Sequence, residues 1–124
     1  MLAGRPHTLP KEERLSGKTA VANLVGKGRW GTCGEIRYCW LRPNGLEINR
    51  IVVSVPKKSF KRAVRRNLLK RRMREAYRLQ KDLLQATGTD LMFVYSSQTV
   101  LPFAEISSMV ADILCEVSQK SGRQ

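Results

Sequence analysis

Residues 63–78 read AVRRNLLKRRMREAYR and hold six arginines, one lysine and a single acid, Glu75. Leu69, Met73 and Ala76 recur at steps of three and four, and Leu83 and Leu84 carry the series on. This spacing predicts a helix from about Arg62 to Leu84 with one buried face. Arg66, Lys70 and Arg74 then lie one turn apart on another face, with Asn67, Arg71 and Arg78 beside them. Like charges at that separation repel by a few tenths of a kcal/mol per pair, roughly. Packing of the apolar face must hold such a helix together, and bound phosphates would turn the repulsion into attraction.

The rest of the chain sets that helix apart. Formal net charge is +13 over 124 residues. Residues 57–81 contain 12 of the 23 basic residues and one acid, a local charge of +11, while the remainder carries 11 basic and 9 acidic groups, or +2. So concentrated a field is the footprint of a polyanion, with nucleic acid ahead of an anionic membrane. Arginine outnumbers lysine six to one in the quoted stretch; its planar fork grips phosphate bidentately and stacks on bases. Asn67 adds a neutral donor and acceptor suited to a 2′-hydroxyl or a base edge.

Working outward, Pro56 ends the apolar strand or strands within LEINRIVVSV (46–55), in which Ile51, Val53 and Val55 share a face. Upstream, CGEIRYCWLR (33–42) alternates Ile36, Tyr38 and Trp40 with Arg37, Cys39 and Leu41, a second strand. Pro43-Asn44-Gly45 between them predicts a hairpin turn. Ser16 is placed to cap a short first helix through about Val25, stopped by Gly26 and Gly28. Downstream, DLMFVY (90–95) is a compact apolar strand. Pro102 suits the first turn of a last helix presenting Phe103, Ile106, Val110, Ile113, Leu114 and Val117. The order α-β-β-β-α-β-α predicts an α+β or α/β two-layer sandwich with about four strands in one central sheet and three helices. A flexible arm (1–13) and a polar tail (119–124) flank one domain (14–118).

Several classes of protein are excluded or demoted. No run approaches the roughly 18 to 20 apolar residues of a membrane span, and MLAGRPHTLPKEER (1–14) lacks the apolar core of a secretory signal. A cytoplasmic protein is expected. Cys33, Cys39 and Cys115 match no zinc spacing, and their odd number argues against a disulfide framework, so no protein-bound metal is expected. The one histidine, His7, lies in the arm, and the ten acids are scattered rather than clustered for metals. A self-sufficient nuclease is therefore a poor reading. A membrane-surface helix would need bulky apolar residues opposite its charges, which Met73, Ala76 and Leu83 do not supply.

The stretch RRNLLKRRMRE (65–75) strongly resembles the signature helix of the bacterial ribonuclease P protein subunit, roughly Arg-Asn-Arg-x-x-Lys-Arg with a further arginine one turn on. The resemblance extends upstream through INRIVVSVPKKSFKRAV (48–64) and downstream through GTDLMFVY (88–95) to the final helix, from near Leu15 to Val117. It implies a small sandwich with a left-handed crossover around the signature helix, where general rules favour the right-handed form in about 98% of cases. It also implies a partner to the catalytic RNA that removes the 5′ leader of precursor tRNA. The chain would then be a subunit of a ribonucleoprotein endoribonuclease, with Mg2+ held through the RNA, no catalytic side chain of its own and no obligate protein partner. Arg65, Arg66, Asn67, Lys70, Arg71 and Arg74 are the implied contacts to the catalytic RNA, with Lys57, Lys58 and Arg62 adding phosphate contacts at the start of the helix. For a leader cleft between the first helix and the exposed sheet face the candidates are Val21, Val25, Tyr38 and Trp40; core packing is the competing role for the two rings. The chain departs from the family pattern at three places. Leu68 stands where an arginine usually follows the asparagine, leaving Arg65 or Arg72 to replace it. The Lys58–Ala63 link is one residue longer than the commonest form. Val21 and Val25 stand where aromatics are frequent. A general basic, ribosome-associated RNA-binding protein is the alternative.

Overall fold

The computed structural model describes residues 9–121. Helix α1 (Lys18–Lys27) is followed by strands β1 (Arg29–Cys33), β2 (Ile36–Leu41) and β3 (Arg50–Ser54), helix α2 (Ala63–Gln80), strand β4 (Asp90–Tyr95) and helix α3 (Phe103–Ser121). The expected order of element types holds, and the fold is α+β, but the third strand before α2 is Arg29–Cys33 rather than a second strand within 46–55.

Strand pairing differs from the expected hairpin. The sheet order is β1-β2-β4-β3, with β2 antiparallel to both neighbours and β3 parallel to β4. β2 therefore turns back through Gly34-Glu35 onto β1, and the Asn44-Gly45 stretch belongs to a loop that carries the chain past β4 to β3. Gly45 does take the positive φ that the turn signal demands, at 84°. Asn44 is used for tethering instead: its Nδ2 donates to Asp90 Oδ1 at 2.9 Å and to the Ile48 carbonyl at 3.1 Å. The physical reason for the order is the character of β4. An unbroken apolar run has something to bury on both faces, which suits a central strand.

Leu91, Phe93 and Tyr95 point to one face and join Ile36, Tyr38, Trp40, Ile51, Val53 and Val55 in the main core, under α2 and α3. From α2 this core takes Leu69, Met73, Ala76 and Tyr77, and from α3 Ile106, Val110, Ile113, Leu114 and Val117. The rings of Tyr77 and Phe93 lie 6.5 Å apart, and those of Phe60 and Tyr95 5.9 Å. Among the described residues, the opposite face of the sheet is sheltered by α1 and the segment just before it, through a small cluster of Leu15, Leu24 and Cys39.

Local expectations are adjusted in several places. Gly17, not Ser16, precedes α1, without a side-chain cap, and Gly28 rather than Gly26 ends it. α2 stops at Gln80 and gives way to a 3-10 turn, Lys81–Leu83, in which Leu83 is exposed while Leu84 is buried. Residues 9–13, expected to belong to a flexible arm, are docked. Leu9 packs against the main core, Lys11–Glu13 form a 3-10 turn, and Lys81 Nζ reaches Glu13 Oε1 at 2.9 Å. The first three residues of the expected tail complete α3. His7 and residues 122–124 lie outside the described residues.

The start of β4 is held by charge. Asp90 is buried, and its carboxylate accepts from Arg50 Nε at 2.9 Å and Arg50 Nη2 at 2.8 Å across the parallel pair. Asp90→Ala removes this pair and the Asn44 tether together, leaving the half-buried guanidinium unmatched. It is expected to lower stability by about 1–3 kcal/mol, read as a lower urea midpoint at unchanged m.

Candidate nucleic-acid interface

α2 presents two unlike faces. At about 100° per residue, Leu69, Met73, Ala76 and Tyr77 form the face packed on the sheet, and all four are buried. Asn67, Arg71, Arg74 and Arg78 fall opposite, with Lys70 on their flank. Asn67, Arg71 and Arg74 are exposed and Lys70 is half-exposed. Arg78 is the one paired member: its guanidinium forms a salt bridge with Glu75. That hydrogen bond holds the Glu75 carboxyl below the usual carboxylate range. The acid on the helix therefore offsets Arg78 and leaves Lys70, Arg71 and Arg74 as the uncompensated charges.

The beginning of α2 extends this surface. Lys57 and Lys58 are exposed in the turn after β3, and Arg62 and Arg65 are exposed at the helix start. Phe60, buried between them, anchors the long Lys58–Ala63 link to the core. No acid occupies the first turn and no side chain caps it, so cations sit where the helix dipole is itself positive. That arrangement is unfavourable for an isolated helix and favourable for a bound anion.

Two arginines have other work. Arg66, expected on the exposed face, turns back, and its Nη1 donates to the carbonyls of Phe60 at 2.7 Å and Lys61 at 2.8 Å. Arg72 Nη1 donates to the Leu101 carbonyl at 2.5 Å, fastening α2 to the loop before α3. Only a tertiary backbone oxygen distinguishes these two from their neighbours. Leu68 lies half-buried on the same side as Arg72. Of the two candidates to replace the missing arginine there, Arg65 is exposed and Arg72 is committed.

The second expected site divides. Val21 and Val25 line a groove of about 680 Å³ between α1 and β3, together with Leu15, Ser16 and Val52. Tyr38 and Trp40 do not reach it. Both are buried on the other face of the sheet, in the main core, because their strand alternates and α2 with α3 covers the face they share. Burial raises the Tyr38 phenol above its ordinary range. The residue on the α1 face of β2 is Cys39, whose Sγ donates to the Leu24 carbonyl at 3.4 Å and whose thiol burial pushes up to about 11. The exposed aromatic on that face is Trp30 of β1, which sequence reasoning missed; a tryptophan between Gly28 and Gly34, outside any apolar periodicity, was the only signal in the sequence. Among the described residues, no three His, Cys, Asp or Glu side chains come together to hold a metal, and no helix is long and apolar enough to cross a membrane.

A family model described as Ribonuclease P matches residues 9–117. The chain belongs to the ribonuclease P protein family. A ribonuclease P protein component from Dictyoglomus thermophilum is 32% identical over 117 residues, covering 93% of this chain and 92% of its own. One from Borrelia turicatae is 31% identical over 107 residues, covering 86% and 92%. One from Porphyromonas gingivalis is 38% identical over 78 residues, where the match spans 57% of the relative and 61% of this chain. Among solved structures, the RNase P protein from Thermotoga maritima superposes with a TM-score of 0.74 at 23% identity, over 84% of this chain and 96% of that one. The Staphylococcus aureus RNase P protein gives 0.73 at 20%, over 85% and 94%. These two likenesses show the fold.

Proposed function

We propose that this chain is the protein subunit of ribonuclease P. In this reading it binds the catalytic RNA and the 5′ leader of precursor tRNA and promotes removal of the leader to give the mature 5′ end. One observation carries the reading: in a chain of this family, Lys70, Arg71 and Arg74 project from a helix whose opposite face is fully committed to the core, and none has a partner within the described residues. Lys57, Lys58, Arg62, Arg65 and Asn67 extend that surface toward the catalytic RNA. Arg66 serves it indirectly, by holding the turn from which the helix starts. Hydrolysis and its Mg2+ belong to the RNA, while this chain supplies positioning and neutralises phosphate charge. The groove beside Val21 and Val25 takes the single-stranded leader.

Binding of a bacterial ribonuclease P RNA, titrated from about 50 to 400 mM monovalent salt, tests this. With five or more phosphates neutralised, the log–log slope is expected near −4 or steeper. A slope near zero would remove the electrostatic basis of the reading.

A further inference from the structure

Of the chain's two tryptophans, three tyrosines and three phenylalanines, all but two are buried. Phe103 is half-buried, and Trp30 is 41% exposed. Trp30 stands on β1, an edge strand of the sheet. Its register partner is Cys39, so its ring rises on the α1 face. Arg37, diagonal to it across the β1–β2 pair, lies with its guanidinium carbon 4.7 Å from the ring centroid. Arg37 is the cation beside the ring, with exposed Lys27 at the end of α1 on the same side; Arg29 and Arg42 lie over the Trp40 ring on the other face of the sheet.

The position is built, not incidental. A side chain at Gly28 would meet Cys39 Sγ at 2.5 Å and the Leu24 carbonyl at 2.6 Å, so α1 ends flush against β2. A side chain at Gly31 would come within 2.5 Å of the Tyr38 ring, which packs across the β1 backbone from the core side. These two close approaches fix β1, and with it the indole. Since α1 rests on β2 and β4, Trp30 occupies the flank of α1 opposite the Val21–Val25–Val52 groove.

We propose that Trp30 and Arg37 form a stacking platform for a nucleotide of single-stranded RNA, an extension of the leader path past α1 to the β1 edge. The proposal rests on the preceding reading that the leader occupies this face. The indole offers a π-face to any base, which makes the contact tolerant of sequence. Arg37 offers a planar fork to the adjoining phosphate. Val21 and Val25 of α1 offer no π-face, and Trp30 is the exposed ring on this side of the sheet.

The test uses the full chain with a fluorescent ten-nucleotide oligouridylate, read by anisotropy, and intrinsic tryptophan emission with the unlabelled oligonucleotide. Saturable quenching is expected from Trp30, because Trp40 is buried. Trp30→Ala is expected to bind roughly five- to hundredfold more weakly, the worth of one base stack, Trp30→Phe to recover most of the loss, and Arg37→Gln to weaken binding. In the holoenzyme, Trp30→Ala should erase the affinity gained between short and long leaders and leave mature tRNA unaffected. Absent quenching together with unchanged affinity in Trp30→Ala would overturn the proposal. So would a concentration-dependent dimer abolished by Trp30→Ala, which would make the β1 edge an interface between copies. If Trp30→Ala loses its fold, the quenching and the Phe and Gln variants still decide. Failure of the wild-type chain to assist ribonuclease P RNA, with oligonucleotide quenching intact, would instead overturn the functional reading alone.

Discussion

Replacing Lys70, Arg71 and Arg74 together by glutamine is expected to weaken binding to ribonuclease P RNA by roughly a thousandfold, taking about 1.5 kcal/mol for each charged contact. The salt slope should become shallower by about three. Thermal stability should hold or rise slightly, because none of the three has a hydrogen bond or ion pair within the described residues and their mutual repulsion disappears. Arg66→Ala is the informative contrast. Its Nη1 satisfies two carbonyls at the start of α2, so its loss should appear first as a lower melting temperature. If the triple variant melts like Arg66→Ala, or binds RNA like wild type, the assignment of the α2 faces is wrong.

That contrast marks how far the interface could be read from sequence. Composition and periodicity located the basic helix and its apolar stripe, and Asn67, Lys70, Arg71 and Arg74 stand where the spacing placed them. The same information could not separate Arg66 and Arg72 from their neighbours. An arginine's six-atom reach lets it fold back to any nearby carbonyl, and those of Phe60, Lys61 and Leu101 are set by tertiary structure. Tyr38 and Trp40 show a second limit. Alternation says that they share a face, but which face receives two helices is decided by elements far along the chain. Trp30 shows the reverse case. Its strand, RWGTC, has too little apolar character to announce itself, so neither the strand nor its indole stood out in the sequence.

Phe93→Ala is expected to destabilise the domain by about 3–5 kcal/mol, as deletion of a buried ring does when the cavity cannot collapse. Phe93 is wholly buried at the middle of the central strand, opposite Tyr38 on one side and Val53 on the other. Tyr77 of α2 packs on it, so both the sheet and the helix lose a contact. Against a net stability of roughly 5–15 kcal/mol for a domain, much of the margin would go. Urea denaturation followed by circular dichroism measures it, and a loss below about 1 kcal/mol would mean that the site repacks.

The strand that contains Phe93 also explains what was legible in the fold. DLMFVY is apolar on both faces, which announced a strand, and α3 repeated its buried residues at helical steps without interruption. The Asn44-Gly45 signal was genuine as a backbone conformation and misleading as topology. A tight turn was read as joining neighbours, whereas β4 inserts between β2 and β3 and Asn44 ties the intervening loop to Asp90. Tyr77 belongs with these cases: it sits on the inner face of a helix whose surroundings are arginines, and only its ring's contact with Phe93 reveals it as core.

In the proposed role, this chain assists a catalytic RNA at the 5′ end of tRNA. The most direct measurement is cleavage of a precursor tRNA by a bacterial ribonuclease P RNA at low Mg2+, with and without the chain. A large protein-dependent rescue of cleavage, confined to the 5′ junction and lost in the Lys70, Arg71, Arg74 triple variant, is the predicted result. Tight RNA binding without any rescue would contradict the account and leave a general basic RNA-binding protein in its place.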